Sequence, residues 1–499
     1  MFYSSRIIYA LLLAGAVVCG CSQREDIDDT VDNQETIVET AEVVFKFQTN
    51  APTVSTTRSA EDSYTHIQGT ADEYQVNNAR IYLFDAPSKL FVKSILLTDL
   101  TRTGTDANGY VIYEAERVSV PQGTYDIFVT ANTSRFISKK TESEFLADID
   151  SLTYVRGAIT DISKGIVMTN RADDNNNVVI AKNDDNEDNV VSITLERVLA
   201  RIDIAKGSET FELTDESNRK YANVTLDGYY IVNLPKYYYS YRHTAVLTSM
   251  EIPAWSISEN FGNVKDVNGY VIDPDFFKKT IDASGFTNAD KYYENFFGDY
   301  SNPNAIAWTS FKPVTQDPQY NTLYTLENCT LAPAQKNGYS TGIIFKARME
   351  PYNNVYHLGA DGNLELIDQS RYPEVLYYFN YKFYDSAEAL ASAVGVNAIT
   401  PNSLDLYQAQ KFEKDDDGYH CYYTYWVRHL DNLKPTVMGV MEFAIVRNNL
   451  YRILVTNVSG LGYYELPVNP DTPDEGETYL KVVINVKPWI VRDLTNVVL

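Results

Sequence analysis

Residues Glu42 to Gln48 alternate, so Val43, Phe45 and Phe47 share one face of an extended strand, while Val44, Lys46 and Gln48 share the other. The same two-residue period returns near the end of the chain. There Leu480, Val482, Ile484 and Val486 line one face, and Lys481, Val483, Asn485 and Lys487 point the other way. Between these two stretches the pattern predicts strands over Ala79–Asp85, Leu90–Leu97, Tyr110–Glu114, Thr124–Asn132 and Val190–Ile204. A second set follows over Tyr221–Asn233, Thr341–Glu350, Val375–Tyr384, His420–His429 and Val437–Val458, the last long enough for two strands. One helix is predicted over Glu142–Leu152, where Phe145, Ile149 and Leu152 recur at helical spacing. The expectation is a mostly β chain of two sandwich domains with a few short helices, divided near Lys206–Asp215.

Turn chemistry fits this reading. Asp106–Tyr110, Asp266–Tyr270 and Asp415–Tyr419 each carry Asn-Gly or Asp-Gly, which suit positive φ and so turn one strand into the next. Each also resembles the start of a calcium loop, but none has the closing Glu in a helix-loop-helix setting, so hairpin turns are expected. Residues Glu259–Gln319 read as a long decorated loop region of the second domain. Thr49–Asp62 reads as an exposed polar loop whose one basic residue, Arg58, is a natural proteolytic site. Pro467–Glu477 reads as a Pro/Asp spacer that packs poorly and tethers the final strand, leaving it able to fill a groove in this molecule or in another.

Composition narrows the class. The chain has 499 residues and a formal net charge of -25, which disfavours nucleic acid and anionic membrane surfaces as partners. Its 39 tyrosines against 5 histidines suit a β-rich surface protein, most of them as strand residues. At the N-terminus, Arg6 precedes an apolar run from Ile7 to Val18, shorter than the about 20 residues of a membrane span, so a cleaved secretory signal is expected. Val18-Cys19-Gly20-Cys21 resembles a bacterial lipobox, with Cys21 lipidated and Cys19 discarded with the signal. Ser22-Gln23-Arg24-Glu25-Asp26 resembles the signal sending Bacteroidetes lipoproteins to the outer face of the outer membrane. Cys21–Thr40 reads as a disordered tether. Cys329 and Cys421 allow one disulfide or two buried thiols. Asn328-Cys329-Thr330 matches a glycosylation signal that arises often by chance. The sequence has no GxSxG, HExxH, P-loop or GxGxxG, and its histidines lack partners at metal-ligand spacing, so no enzyme, cofactor or metal is expected.

Several segments, taken in order, resemble the Bacteroidetes type V pilins, or fimbrillins, most like the major subunit of the short fimbriae. They are Ala79–Asp85, Gly123–Asn132, Leu195-Glu196-Arg197-Val198-Leu199-Ala200-Arg201, Arg447-Asn448-Asn449-Leu450-Tyr451-Arg452-Ile453 and Val486-Lys487-Pro488-Trp489. The resemblance implies two transthyretin-like β-sandwiches in a lipoprotein, and removal of the first strand by an arginine-specific protease. It implies that the C-terminal strand of another copy then enters the vacated groove. Carried onto this sequence, residues 1–20 are the signal, 21–58 the tether and removable strand (Val43, Phe45, Phe47), and Arg58–Ser59 the cut. Residues 59–210 and 211–466 are the two domains, and 467–499 the spacer and donor strand with Leu480, Val482, Ile484, Val486 and Trp489. The implied function is a shaft subunit of a fimbrium supporting adhesion. Its partners are head-to-tail copies of itself and related tip and anchor subunits, and a lipid anchor holds it to the membrane before the cut. The alternatives are a tip or anchor fimbrillin, or a surface glycan-binding lipoprotein.

Overall fold

β-branched and aromatic residues fill the alternating segments, and such residues pack well on a pleated, half-buried surface. The computed structural model describes residues 39–49, 70–106, 110–152, 162–182, 189–246, 269–283, 291–299, 306–331, 334–429, 441–466, 469–474 and 480–488. These residues build two β-sandwiches.

The first sandwich contains β1 (Thr40–Thr49), β2 (Ala79–Asp85), β3 (Phe91–Leu97), β4 (Leu100–Thr105), β5 (Val111–Ala115), β6 (Val118–Pro121) and β7 (Gly123–Ala131). It is completed by β9 (Met168–Thr169), β10 (Val178–Ile180), β11 (Asn189–Thr194) and β12 (Glu196–Arg197), while β8 (Ile149–Ser151) pairs elsewhere. One sheet runs β11-β1-β5-β4 with β6 also against β1; the other runs β12-β9-β7-β2-β3 with β10 on β7. Val43, Phe45 and Phe47 of the first sheet bury into one cluster with Ile81, Leu83, Ile127 and Val129 of the second.

In the second sandwich, β13 (Ala200–Lys206) lies between the strands Asn321–Thr325 and Asn449–Val458, with Leu480–Pro488 on the outer edge. The facing sheet includes Phe211–Thr214, Lys220–Val232, Gly342–Pro351 and Gly418–Trp426. Ile202, Ile204, Ile453 and Val455 pack there with Val224, Leu226, Phe345 and Tyr423. Because Ala200, Ile202 and Ile204 already belong to this second core, the change of core comes ahead of Lys206.

Several elements depart from the periodic reading. Val190–Ile204 is three strands, because the chain there leaves one sheet of the first sandwich, touches the other, and crosses into the second sandwich. The helix at Glu142 ends at Leu146, and Ile149–Ser151 instead pairs with Tyr237–Tyr239. Asp148 draws the backbone away, since its carboxylate accepts from Arg135 Nη2 at 2.7 Å and Ser240 Oγ at 2.6 Å. Val375–Tyr384 is a hairpin of Val375–Phe379 and Lys382–Tyr384, turned at Asn380 and Tyr381, both at positive φ. Within Val437–Val458 the described residues hold the single strand Asn449–Val458. The turns at Asp106 and Asp415 each join antiparallel neighbours, and Asp106 Oδ1 accepts from Tyr110 N at 2.8 Å. The third, at Asp266, lies largely outside the described residues.

Many of the tyrosines are core residues with satisfied hydroxyls. Tyr82 and Tyr241 are fully buried; Tyr82 Oη accepts from Ile137 N at 3.1 Å, and Tyr241 Oη donates to Val129 O at 3.1 Å. Cys329 and Cys421 are buried free thiols, not a disulfide, and burial pushes both thiols up, Cys421 to about 11. Asn328 is 1% exposed, which removes it as a glycan acceptor in the folded chain. No described helix is long and apolar enough to cross a membrane.

Candidate functional site

The site is built from β1, the segment that follows it, and the C-terminal strand. β1 is central in its sheet. On one side it runs parallel to β11, with Val43 to Gln48 opposite Asn189 to Thr194. On the other side it runs antiparallel to β6 through Thr40–Val43 and to β5 through Lys46–Thr49. Val43, Phe45 and Phe47 are 0% exposed, each contributing on the order of 1.5 to 3 kcal/mol by burial. On the outer face Lys46 pairs across the ladder with Glu114 at 3.1 Å. Without β1, β11 would be cut off from β5 and β6, so the groove requires an occupant if the sheet is to stay whole.

Cys21, Arg58, Ser59 and Trp489 all lie outside the described residues. Beyond Arg58 the first described residue is Thr70, the N-cap of the short helix α1 (Ala71–Tyr74), where Glu73 is wholly buried. Glu73 accepts from Thr70 N at 2.6 Å, from Arg201 Nη1 at 2.8 and 3.1 Å, and from Tyr324 Oη at 2.7 Å. Its own carbonyl accepts from Arg197 Nε at 2.6 Å. Arg201 is also held by Asp203, bidentate at 2.8 and 3.0 Å, and Asp203 takes a further ion pair from Arg452 at 3.3 Å. Burial lowers Arg197 to about 10, with the Glu73 charge opposing that fall. The chain at Thr70–Tyr74 is thereby bolted to the second sandwich through the buried Glu73.

This cluster explains two of the quoted sequence segments. Arg197 and Arg201 come from Leu195–Arg201, and Arg452 from Arg447–Ile453. Asn448 stands at positive φ, gives its N–H to Leu199 O at 2.8 Å and accepts from Arg197 Nη1 at 3.2 Å. Arg447, 1% exposed, pairs with Glu327 at 2.7 Å and donates to Tyr239 O at 2.7 Å. The sequence signal for Glu73 was its place three residues after Thr70, the spacing of a helix capping box. Its buried partners had no local signal.

The tail strand Leu480–Pro488 is paired within its own chain. It runs antiparallel to Asn449–Val458, with Leu480, Val482, Ile484 and Val486 opposite Val458, Val455, Ile453 and Tyr451, all four of which are buried in the second core. The segment leading to it is a correction to the loose spacer. Residues 469–474 are docked on the body, since Asn337 N donates to Thr472 O and Gly338 N to Pro470 O, both at 2.9 Å. Lys336 pairs with Asp471 at 2.5 Å, and Asp474, 3% exposed, accepts a hydrogen bond from Ser340 Oγ. Burial drives the Asp474 carboxyl well above the usual carboxylate range, against the pull of Ser340 and Arg428.

Residues 41–197 match the family model for the major fimbrial subunit protein FimA, and residues 417–495 match that for the C-terminal region of type IV major fimbrial subunits, or fimbrillins. No curated protein matches the chain in sequence. Among solved structures, a fimbrilin from Porphyromonas gingivalis is 15% identical with a TM-score of 0.42, over 92% of this chain and 100% of that one. The tip fimbrial protein Mfa3 of the same organism is 11% identical with a TM-score of 0.37, over 89% and 99%. The fimbrial anchor protein Mfa2 is 14% identical with a TM-score of 0.21, over 42% and 69%. The two matched models cover, in chain order, the first sandwich with its central β1 and the C-terminal strands that include the tail, and over those residues the chain matches the fimbrillin family of fimbrial subunits.

Proposed function

We propose that the chain is a shaft subunit of a surface fimbrium that polymerises by strand exchange. It is exported as a lipoprotein on Cys21, cut between Arg58 and Ser59 by an arginine-specific protease, and joined head-to-tail when the tail strand of one copy replaces β1 of the next. The observation that carries this reading is the placement of β1: a strand central in its sheet, with Val43, Phe45 and Phe47 fully buried, followed in sequence by the segment 50–69 that contains Arg58. The Glu73 cluster fits it too, because it fixes the chain beyond the cut, so that residues up to Arg58 are the part free to depart.

The two strands share a pattern position by position. Glu42-Val43-Val44-Phe45-Lys46-Phe47-Gln48 aligns with Lys481-Val482-Val483-Ile484-Asn485-Val486-Lys487, with apolar residues on one face and polar ones around a single valine on the other. In its own chain the tail has Asn449–Val458 as its hydrogen-bonding neighbour; in the place of β1 it would gain neighbours on both sides. A head-to-tail joint of this kind does not close on itself, so it yields a filament.

The test is digestion of the full chain with an arginine-specific protease, followed by an unboiled denaturing gel and N-terminal sequencing. A new terminus at Ser59 with a ladder of polymers is expected, and no ladder when residues 480–499 are deleted. A monomer that persists after clean cleavage at Arg58 would overturn the shaft reading and favour a tip or monomeric lipoprotein.

A further inference from the structure

A second cluster, unrelated to the strand groove, lies in the stretch read from sequence as a decorated loop. The strand Gly269–Ile272 leads into the helix Phe276–Asp282, which carries Lys279 into the interior. Asp273, Lys279, Tyr293 and Asn328 are 4%, 1%, 2% and 1% exposed. Lys279 Nζ donates to Asp273 Oδ2 at 2.6 Å and to Asn328 Oδ1 at 2.8 Å. The orientation of the Asn328 carboxamide is fixed by its other contacts, since Nδ2 donates to Tyr339 O at 2.9 Å and to Thr341 Oγ1 at 3.0 Å. Its carbonyl therefore faces the amine. The Tyr293 ring lies beside the amine, 5.9 Å from centroid to Nζ, and its hydroxyl stands 3.3 Å from Asn328 Oδ1. Asp273 also accepts from Cys329 N at 2.7 Å and Asp275 N at 2.9 Å, which hold its carboxyl in place.

A buried ion pair would need only Asp273 and Lys279. Here a third member, the Asn328 carboxamide, is held with its oxygen 2.8 Å from the nucleophile in a buried site, and such fixed proximity turns a slow bimolecular reaction into a fast local one. We propose that Lys279 and Asn328 become joined by an intramolecular isopeptide bond, with Asp273 as the proton carrier. In the first step the Lys279 ammonium passes a proton to the Asp273 carboxylate, whose affinity for it is raised by burial. The neutral Nζ then attacks Asn328 Cγ, forming the Nζ–Cγ bond while the carbonyl electron pair moves to Oδ1. As the carbonyl re-forms, the Cγ–Nδ2 bond breaks, and Nδ2 leaves with the protons released by Nζ, relayed through Asp273. One C–N bond forms and one breaks, one ammonium ion departs, and nothing is oxidised or reduced.

The bond would have a mechanical consequence. Asn328 is locked to the C-terminal half of the chain by paired backbone hydrogen bonds with Ile445, at 2.9 and 2.8 Å. Joining it to Lys279 would staple the helix Phe276–Asp282 and the strand before it to the second sandwich, so that the excursion between them could not be pulled out. The proposal is independent of strand exchange and stands whether or not the subunit polymerises.

Mass spectrometry of the full chain tests it directly. Expected are an intact mass short by one ammonia and a digest containing a branched peptide that joins Lys279 to Asn328. A full mass overturns the proposal. So does an ammonia-short mass without the branched peptide, which would mark a succinimide at Asn328. Lys279→Arg keeps the charge facing Asp273 but cannot form the amide, so it should show the full mass and faster proteolysis within residues 269–299. An ammonia-short Lys279→Arg chain would also overturn it. Should that variant fail to fold, the measurement on the unaltered chain still decides.

Discussion

Glu73 and Asp72 are adjacent acids on the same short helix, yet only Glu73 is structural. Asp72 is exposed, whereas the carboxylate of Glu73 is fully buried between Arg201 and Tyr324 and is the main opposing charge to the desolvated Arg197. Removing one partner of a buried charged cluster strands the others, at a cost of roughly 3 to 5 kcal/mol. Glu73→Gln, which keeps the shape and loses the charge, is therefore expected to lower stability by about that amount in urea unfolding. Asp72→Asn should fall within about 0.5 kcal/mol of the parent. Equal effects of the two substitutions would mean that the cluster does not fasten this segment.

At the scale of elements, the segment 469–474 ahead of the tail strand is docked on the body with Asp474 buried. Asp474 is an acid whose folded affinity for protons exceeds its unfolded one. The sign follows from that: the folded chain binds the extra proton, so the stabilisation is complete at low pH and is lost as pH rises from about 4 through the raised value. Docking should weaken accordingly. The amides of Asn337 and Gly338, which donate to Thr472 and Pro470, report on it through hydrogen exchange corrected for intrinsic rates. Protection is expected to fall with rising pH in the parent and to be flat in Asp474→Asn, which can still accept from Ser340. Protection that rises with pH in the parent would contradict the assignment.

For the whole molecule, residues 1–58 hold 4 of the basic and 8 of the acidic side chains, so copies cut after Arg58 would meet with a net charge of -21 in place of the -25 of the full chain. Like-charged subunits repel over a Debye length of about 30 Å at 0.01 M salt and about 8 Å at 0.15 M, so polymer growth after cleavage should be faster at the higher salt. Slower growth at higher salt would indicate a joint steered by local opposite charge. The local sequence determined much of this chain: strand positions, the faces they bury, two hairpin turns and the buried face of Val43, Phe45 and Phe47, because a two-residue period is a property of neighbours. It could not determine what each face meets. The segments at Val43 and Val482 carry nearly the same pattern, yet one lies between β11 and β5 and the other at the rim of the second sandwich beside Asn449–Val458. That difference, like the meeting of Glu73 with Arg201, of Asp474 with Ser340 and of Lys279 with Asn328, joins residues far apart in the chain. Pairing and the burial of charge are settled by the assembled core, where excluding water makes each partner matter, so only the tertiary structure decided them.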